Sequence, residues 1–204
     1  MNTRIIIVIA ACAAIVFFLY SLTPDSNEIR NSSPQGKAIV CFGDSLTFGT
    51  GARSGMDYPS QLSLMIGLPV INEGVPGDTT AMALNRLDDL LEHQPSIVLL
   101  TLGGNDLKNG ISREEAFRNL ELIINRIQDV GALVVLGGLE IRFHGRGFGK
   151  AYEELGKEAG AVLVPDVLLD IIENRNLMSD VIHPNREGYT IMAQHFFKAL
   201  QPYL

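Results

Sequence analysis

The sequence predicts an α/β protein in which about five parallel strands form a sheet with helices on both faces. Two observations lead to this prediction. Short runs rich in β-branched residues alternate along the chain with longer amphipathic stretches. The short runs are mostly apolar, as expected for strands that are buried on both faces. Such alternation is typical of a parallel sheet between two helical layers, so we expect a three-layer α/β/α domain.

The individual elements follow from this pattern. Strands are predicted over residues 38–42, 69–72, 97–101, 133–136 and 161–164. Helices are predicted over residues 57–66, 78–93, 112–130, 147–159 and about 186–200. Ser112, followed by Glu115, has the spacing of a capping box, and Asn185 is expected to cap the last helix. We therefore expect one catalytic domain over residues 37–204.

Composition excludes several classes of partner. The chain has 204 residues and a net charge of −7, and a nucleic-acid-binding domain needs a basic face that this balance does not provide. Its two cysteines, Cys12 and Cys41, are too few for a disulfide framework. No C-x-x-C pair or H-E-x-x-H helix occurs, so we expect neither a metal nor an organic cofactor. We expect the catalytic domain to be monomeric.

The N-terminal segment has the character of a membrane helix. Residues 5–22 carry no charge, and as a helix they would be about 27 Å long, close to the thickness of a bilayer's hydrocarbon core. Arg4 precedes the run and Asp25 follows it, which predicts that the rest of the chain lies on the extracytoplasmic side. An uncleaved signal anchor is favoured. A cleaved signal peptide, giving a secreted enzyme, and a lipoprotein-type site at Cys12 remain as alternatives.

A polar segment joins this helix to the domain. Residues 23–36 contain two prolines, two asparagines and a glycine among mostly polar neighbours. Such a composition is typical of a flexible linker rather than of a packed element. The predicted organisation is thus an anchor or signal peptide over residues 1–22, a linker over 23–36 and the catalytic domain.

Polar residues and glycines cluster where the predicted strands end. In parallel sheets ligands bind beyond the carboxyl ends of the strands, so these positions are candidates for an active site. The sequence GDSLT follows the first strand, NEGVPGD includes the end of the second, GGND comes shortly after the third, and DVIHP precedes the last helix. These segments span residues 43–47, 72–78, 103–106 and 180–184.

The residue types in these segments fit nucleophilic catalysis. A serine hydroxyl needs a base, and His183 can serve Ser45 in this way near neutral pH. Asp180 lies three residues before His183, so a tight turn can bring its carboxylate to the ring and fix the tautomer. The backbone N–H groups of Ser45 and Gly77, with the side-chain N–H of Asn105, can form an oxyanion hole.

Together the four segments resemble the SGNH (GDSL) hydrolase family over residues 37–204. The resemblance is greatest to its arylesterase, lysophospholipase and acyl-CoA thioesterase I branch. It implies a flavodoxin-like fold and hydrolysis of carboxylic esters or thioesters, including aryl and acyl esters or lysophospholipids. The family's serine, glycine, asparagine and histidine correspond to Ser45, Gly77, Asn105 and His183. A carbohydrate-ester deacetylase of the same family is an alternative.

Other interpretations of these residues remain. Ser45 could cap the helix that follows the first strand. The Gly/Ser/Thr-rich residues 43–51 could bind phosphate or a flavin at a helix start. Phe143, His144 and Phe148 belong to a glycine-rich loop over residues 142–150. This loop is either a rim that contacts the acyl chain of a substrate or a mobile surface loop.

Overall fold

A computed structural model describes residues 28–140 and 147–204 of the chain. Five strands form one parallel sheet in the order β2-β1-β3-β4-β5, which confirms the predicted α/β architecture. The strands are β1 (Ala38–Gly43), β2 (Val70–Gly74), β3 (Pro95–Thr101), β4 (Leu133–Gly137) and β5 (Val162–Val164). The predicted membrane segment, together with Phe143 and His144, lies outside the described residues.

Helices cover both faces of the sheet, with α2 against α8 and α6 against α3 and α7. Their bounds are α1 Ser45–Phe48, α2 Tyr58–Ile66, α3 Thr80–Asn85, α4 Leu87–Glu92, α5 Gly104–Lys108, α6 Arg113–Asp129, α7 Phe148–Ala159 and α8 Arg186–Leu200. Short 3₁₀ turns cover Arg175–Leu177 and Gln201–Tyr203. Ser112 accepts a hydrogen bond from the Glu115 N–H, and Asn185 accepts one from the Gly188 N–H, so both predicted caps are confirmed.

Three details differ from the sequence prediction. The helix predicted over residues 78–93 is broken into α3 and α4 at Arg86, whose backbone angles are not helical. Helices α1 and α5 are not among the helices predicted from periodicity, because helices of four and five residues are too short to show a periodic pattern. Strands β2 and β5 are only partly buried, because they form the two edges of the sheet, whereas β1, β3 and β4 lie in the core.

Part of the predicted linker lies against the domain. The backbone N–H groups of Arg30 and Gln35 donate to carbonyl oxygens of Gly160 and Gly131, at the edge where the strands begin. These contacts attach the second half of the predicted linker to the folded domain. Within the part of the chain that the structure describes, no helix is long and apolar enough to cross a bilayer.

Candidate active site

The candidate site lies at the carboxyl edge of the sheet, above the junction of β1 with β3. The connections from β1 and β3 leave this junction toward opposite ends of the sheet, which is where flavodoxin-like sheets bind their ligands. Ser45 opens α1 after β1, Gly77 lies between β2 and α3, and Asn105 lies in α5 after β3. His183 reaches the same place from the loop before α8.

Ser45, His183 and Asp180 form a continuous chain of hydrogen bonds. Ser45 Oγ lies 3.0 Å from His183 Nε2, and His183 Nδ1 lies 2.7 Å from Asp180 Oδ2. A carboxylate can only accept, so Nδ1 carries the proton and Nε2 is left to accept from the serine hydroxyl. The arrangement can therefore remove a proton from Ser45.

Asp180 is fixed as an ionised acceptor. Its Oδ1 atom accepts from the backbone N–H groups of Ile182 and His183, both at 2.8 Å. The hydrogen bond from the His183 ring, followed by these two backbone bonds, lowers the pKa of Asp180 to about 2. The carboxylate consequently stays charged throughout the pH range in which a histidine can act as a base.

The loop that carries Asp180 and His183 is closed by its own backbone. Met178 and Pro184 pair as an isolated antiparallel bridge, and the Ser179 N–H donates to the His183 carbonyl oxygen at 2.9 Å. This pairing joins the two ends of a short turn, which holds the carboxylate and the imidazole on the same side. The tight turn expected from the three-residue spacing is confirmed.

Asp44, and not Ser45, caps the helix that follows β1. Asp44 Oδ1 accepts from the Leu46 N–H at 2.9 Å, so the hydroxyl of Ser45 is not used as a cap. The interpretation of Ser45 as a helix cap is therefore wrong. The carboxylate of Asp44 also occupies the N-terminus at which a phosphate would bind, and this disfavours the phosphate- or flavin-binding alternative.

Asn105 is held by acceptors from two other segments. Its Nδ2 atom donates to the Asp78 carbonyl oxygen at 2.9 Å and to Asp44 Oδ2 at 3.2 Å. Gly77, directly before Asp78, has φ +90, a left-handed conformation that an L side chain rarely adopts. Apart from the two adjacent residues, no atom of the described part of the chain lies within 4 Å of a Cβ built there, so its backbone conformation and not crowding favours glycine.

Arg86 connects the segments on this side of the site. Its Nε atom donates to Asp78 Oδ2 at 2.7 Å, and its Nη2 atom donates to the carbonyl oxygens of Gly43 and Glu73, both at 3.0 Å. The guanidinium also lies 4.2 Å from the centre of the Phe42 ring. Arg86 thus ties the ends of β1 and β2 to the segment that carries Gly77. No role for Arg86 follows from the sequence, because its acceptors come from separate segments.

Two buried carboxyl groups, those of Asp44 and Asp106, lie next to Ser45 and Asn105 in the chain. Burial is the main cause that raises the pKa of Asp44 to about 6, against the opposing effect of its bond from the Leu46 N–H. Asp106 is fully buried and accepts from the backbone N–H and the hydroxyl of Thr80, at 2.9 and 2.6 Å. Asp106 therefore fixes the start of α3 against α5.

An open cleft of about 1490 Å³ leads from Ser45 and His183 along the carboxyl edge toward β5. Much of its lining is apolar, including Leu46, Leu107, Leu139, Leu163, Leu168 and Ile182. Apolar walls with a few convergent polar groups are typical of sites for small organic molecules. The cleft can accommodate an acyl or aryl group beside the serine.

The structure does not place Phe148 where a substrate-binding rim would need it. Phe148 is 3% exposed and packs edge-on against Phe117, with a centroid distance of 5.4 Å. It begins α7 and lies in the core because an aromatic ring there buries a large apolar area. Its expected contact with an acyl chain is therefore corrected to a packing role. Among the described residues, no group of three or more His, Cys, Asp or Glu side chains could hold a metal ion.

Comparison with known proteins identifies the family. Residues 41–191 match the model of the GDSL-like Lipase/Acylhydrolase family. The chain belongs to this family. As a GDSL hydrolase it is 30% identical over 173 residues to "Thioesterase 1/protease 1/lysophospholipase L1" of Escherichia coli K12, covering 80% of this chain and 83% of that protein. It is 29% identical to an "Arylesterase" of Vibrio mimicus, covering 85% and 92% of the two chains.

Solved structures support the same assignment. "Crystal Structure of TesA" superposes on this GDSL hydrolase with a TM-score of 0.78 and 26% identity, covering 82% of this chain and 100% of that one. An SGNH-hydrolase family esterase, AlinE4, matches with a TM-score of 0.66 and 31% identity, covering 82% and 94%. The predicted family and fold are confirmed, and the protein is a hydrolase that acts on ester bonds.

Proposed function

We propose that the protein hydrolyses carboxylic esters and thioesters through an acyl-enzyme on Ser45. His183 acts as the general base and Asp180 orients it. The observation that carries this assignment is the unbroken chain of hydrogen bonds from Asp180 through His183 to Ser45 Oγ. All three residues come from one chain, in keeping with a monomeric catalytic domain.

The chemistry proceeds in two steps. As Ser45 Oγ attacks the ester carbonyl carbon, His183 Nε2 takes the hydroxyl proton, and the Asp180 carboxylate stabilises the imidazolium. The imidazolium then gives this proton to the departing alkoxide or thiolate, which leaves the acyl group on Ser45. In the second step His183 takes a proton from water as its oxygen attacks the acyl carbon. The imidazolium then returns this proton to Ser45 Oγ as the acid leaves, which restores both the serine and the histidine.

The oxyanion of each tetrahedral intermediate is assigned to three N–H donors. The Ser45 N–H is at the start of α1, where a helix leaves such groups without an intrahelical acceptor. The Gly77 backbone and the Asn105 amide supply the other two. Asn105 is already oriented by Asp44 and Asp78, so an oxyanion competes with its longer bond, to Asp44, instead of reorganising the side chain.

The substrate class follows from the cleft. Its apolar lining beside Ser45 and His183 favours acyl or aryl esters over small polar substrates. The names of the relatives, thioesterase, lysophospholipase and arylesterase, favour the same range. A panel of p-nitrophenyl esters from two to sixteen carbons, with an acyl-CoA and a lysophospholipid, distinguishes these possibilities. Activity confined to an acetylated sugar would select the deacetylase alternative instead.

The residue assignment is tested by Ser45→Ala. We expect this variant to lose turnover of p-nitrophenyl esters, while the matched Ser60→Ala variant, altered on α2, keeps it. Retained turnover in Ser45→Ala, in protein shown to be folded by circular dichroism, would contradict the assignment.

Residues 5–22 are assigned as a membrane anchor that places the catalytic domain on the extracytoplasmic side. The assignment is supported by the uncharged run and by the positive charge before it and negative charge after it. If it is correct, the full-length protein stays in the membrane fraction after a carbonate wash and keeps its N-terminal residues. Release into the soluble fraction with a shortened N-terminus would instead indicate a cleaved signal peptide.

A further inference from the structure

The chain enters the domain along the amino edge of the sheet, the edge at which the parallel strands begin. Three backbone N–H groups donate to carbonyl oxygens that lie just before strands: Arg30 to Gly160 at 2.9 Å, Gln35 to Gly131 at 3.1 Å and Lys37 to Gln94 at 2.8 Å. These acceptors precede β5, β4 and β3. The segment therefore passes three neighbouring strands in turn before it continues into β1.

Side-chain contacts hold this segment in place. Asn31 has φ +55, a left-handed conformation that asparagine tolerates, and its Nδ2 atom donates to the carbonyl oxygens of Gln128 and Ala132 at 2.8 and 2.9 Å. A Cβ on Gly160 would lie 2.7 Å from the Glu28 carbonyl oxygen, so the path is closely packed. The chain is thus held against the amino edge as far back as residue 28.

The catalytic residues lie at the opposite edge of the same sheet. Strand β3 has seven residues, and at ~3.3 Å per residue the two edges are about 20 Å apart before any loops are counted. A domain of this size has a radius of gyration of about 16 Å and is roughly 40 Å across. The surface around Ser45 is therefore separated from the entering segment by at least half of the thickness of the domain.

Little chain remains between the predicted anchor and the docked segment. Residues 23–27 number five, and even fully extended they span only about 18 Å. This reach is less than half the width of the domain. The catalytic edge cannot be turned onto the anchoring membrane while residues 28–37 keep their contacts with the amino edge.

We propose that the amino edge of the sheet faces the anchoring membrane and that the catalytic cleft opens away from it. The partner of the amino edge is a lipid surface. Esters reach Ser45 from the aqueous compartment or from a surface that faces the anchoring membrane. This orientation rests on the proposed function in one respect, the assignment of residues 5–22 as a membrane anchor.

The orientation can be measured by energy transfer to the membrane surface. The full-length chain carrying Cys12→Ser is inserted into phosphatidylcholine vesicles that contain a lipid with a rhodamine headgroup. A single new cysteine is labelled with a donor dye, either Leu68→Cys just before β2 or Met82→Cys in α3, positions that are 48% and 53% exposed. Cys41 is buried and is not expected to react.

We expect stronger quenching of the donor at position 68 than at position 82. A Gly/Ser insertion of 20 residues after Asp25 adds roughly 25 Å of reach and is expected to reduce this difference, because the domain can then turn. Equal or reversed quenching in the original chain would overturn the proposal. So would a difference that the insertion leaves unchanged, since tether length would then not set the orientation.

Two further measurements on the same vesicles distinguish a failure of this proposal from a failure of the anchor assignment or of the esterase assignment. Flotation of the vesicles reports whether the chain is anchored, and a chain that does not float overturns the orientation together with the anchor. Hydrolysis of a water-soluble p-nitrophenyl ester reports the esterase independently of orientation. Loss of hydrolysis with unequal quenching would contradict the proposed function and support the orientation.

Discussion

The two sides of Ser45 are constructed in different ways. On one side, Asp180 and His183 lie three residues apart in a single loop, and the Asp180 side chain is 50% exposed. On the other side, the donors and their supports come from separate segments: Asp44 after β1, Asp78 after β2, Arg86 between α3 and α4, and Asn105 in α5. Asp44 and Asp78 there are only 3% exposed.

Because of this difference, we expect variants on the two sides of Ser45 to differ in their effects on turnover and on stability. The Asp180–His183 pair is held by short local contacts at the surface, so its loss is expected to affect turnover with little effect on unfolding. The Asn105 side consists of buried polar groups whose partners depend on each other, so changes there are expected to affect both turnover and stability. Variants on the two sides can test this contrast.

The largest effect is expected from Asp180→Asn on the exposed side. An amide can donate to His183 Nδ1 and so favour the tautomer in which Nε2 cannot accept from Ser45, which predicts a kcat roughly 10⁴-fold lower. The melting temperature should change little. Steady-state kinetics and calorimetry measure both, with Asp89→Asn on the surface of α4 as the control. A fall in melting temperature of many degrees would contradict the contrast.

A smaller loss is expected from Asn105→Ala on the buried side. Removal of one oxyanion donor typically lowers kcat about 100- to 1,000-fold, and KM should stay close to the wild-type value because the contact strengthens in the transition state. Asn109→Ala, at the exposed end of the same helix, is the matched control. An effect confined to KM would remove Asn105 from the oxyanion hole.

Arg86→Lys tests whether the hydrogen bonds of Arg86 contribute to turnover by holding the segment that carries Gly77. Lysine keeps the charge but cannot donate to three acceptors in a fixed plane. We expect kcat to fall about 10-fold and stability to fall by about 2 kcal/mol. The control is Arg126→Lys, which alters a surface ion pair with Asp88. Unchanged kcat, together with lowered stability, would limit Arg86 to a structural role.

The smallest effect concerns the pH dependence of stability. Because burial raises the pKa of Asp44 to about 6, its contribution to stability is greatest at pH values below about 3.8 and is lost as the pH rises through 6. In Asp44→Asn this loss is absent. Between pH 4 and pH 7, the melting temperature of the wild type should therefore fall by a few degrees relative to that of the variant. Melting temperatures that change in parallel with pH in the wild type and in Asp44→Asn would contradict a raised pKa of the buried Asp44 carboxyl group.

The same contrast explains what the sequence could predict. Asp180 and His183 are close in the chain, and the polar residues after three strands meet because parallel strands end at one edge. Ser45, Gly77, Asn105 and His183 could therefore be predicted as candidate site residues from the sequence. Arg86 could not, because its acceptors Asp78, Gly43 and Glu73 have no sequence pattern in common. The burial of Phe148 and the attachment of residues 30–35 also depend on tertiary contacts that local composition does not encode.

The most direct test of the central claim is covalent labelling of Ser45. The wild-type protein and Ser45→Ala are incubated with a fluorophosphonate and examined by intact mass spectrometry, followed by peptide mapping. We predict one adduct per wild-type chain, on the peptide that contains Ser45, and none on the variant. An adduct on another residue, or labelling of Ser45→Ala to the same extent, would contradict a mechanism in which Ser45 is the nucleophile.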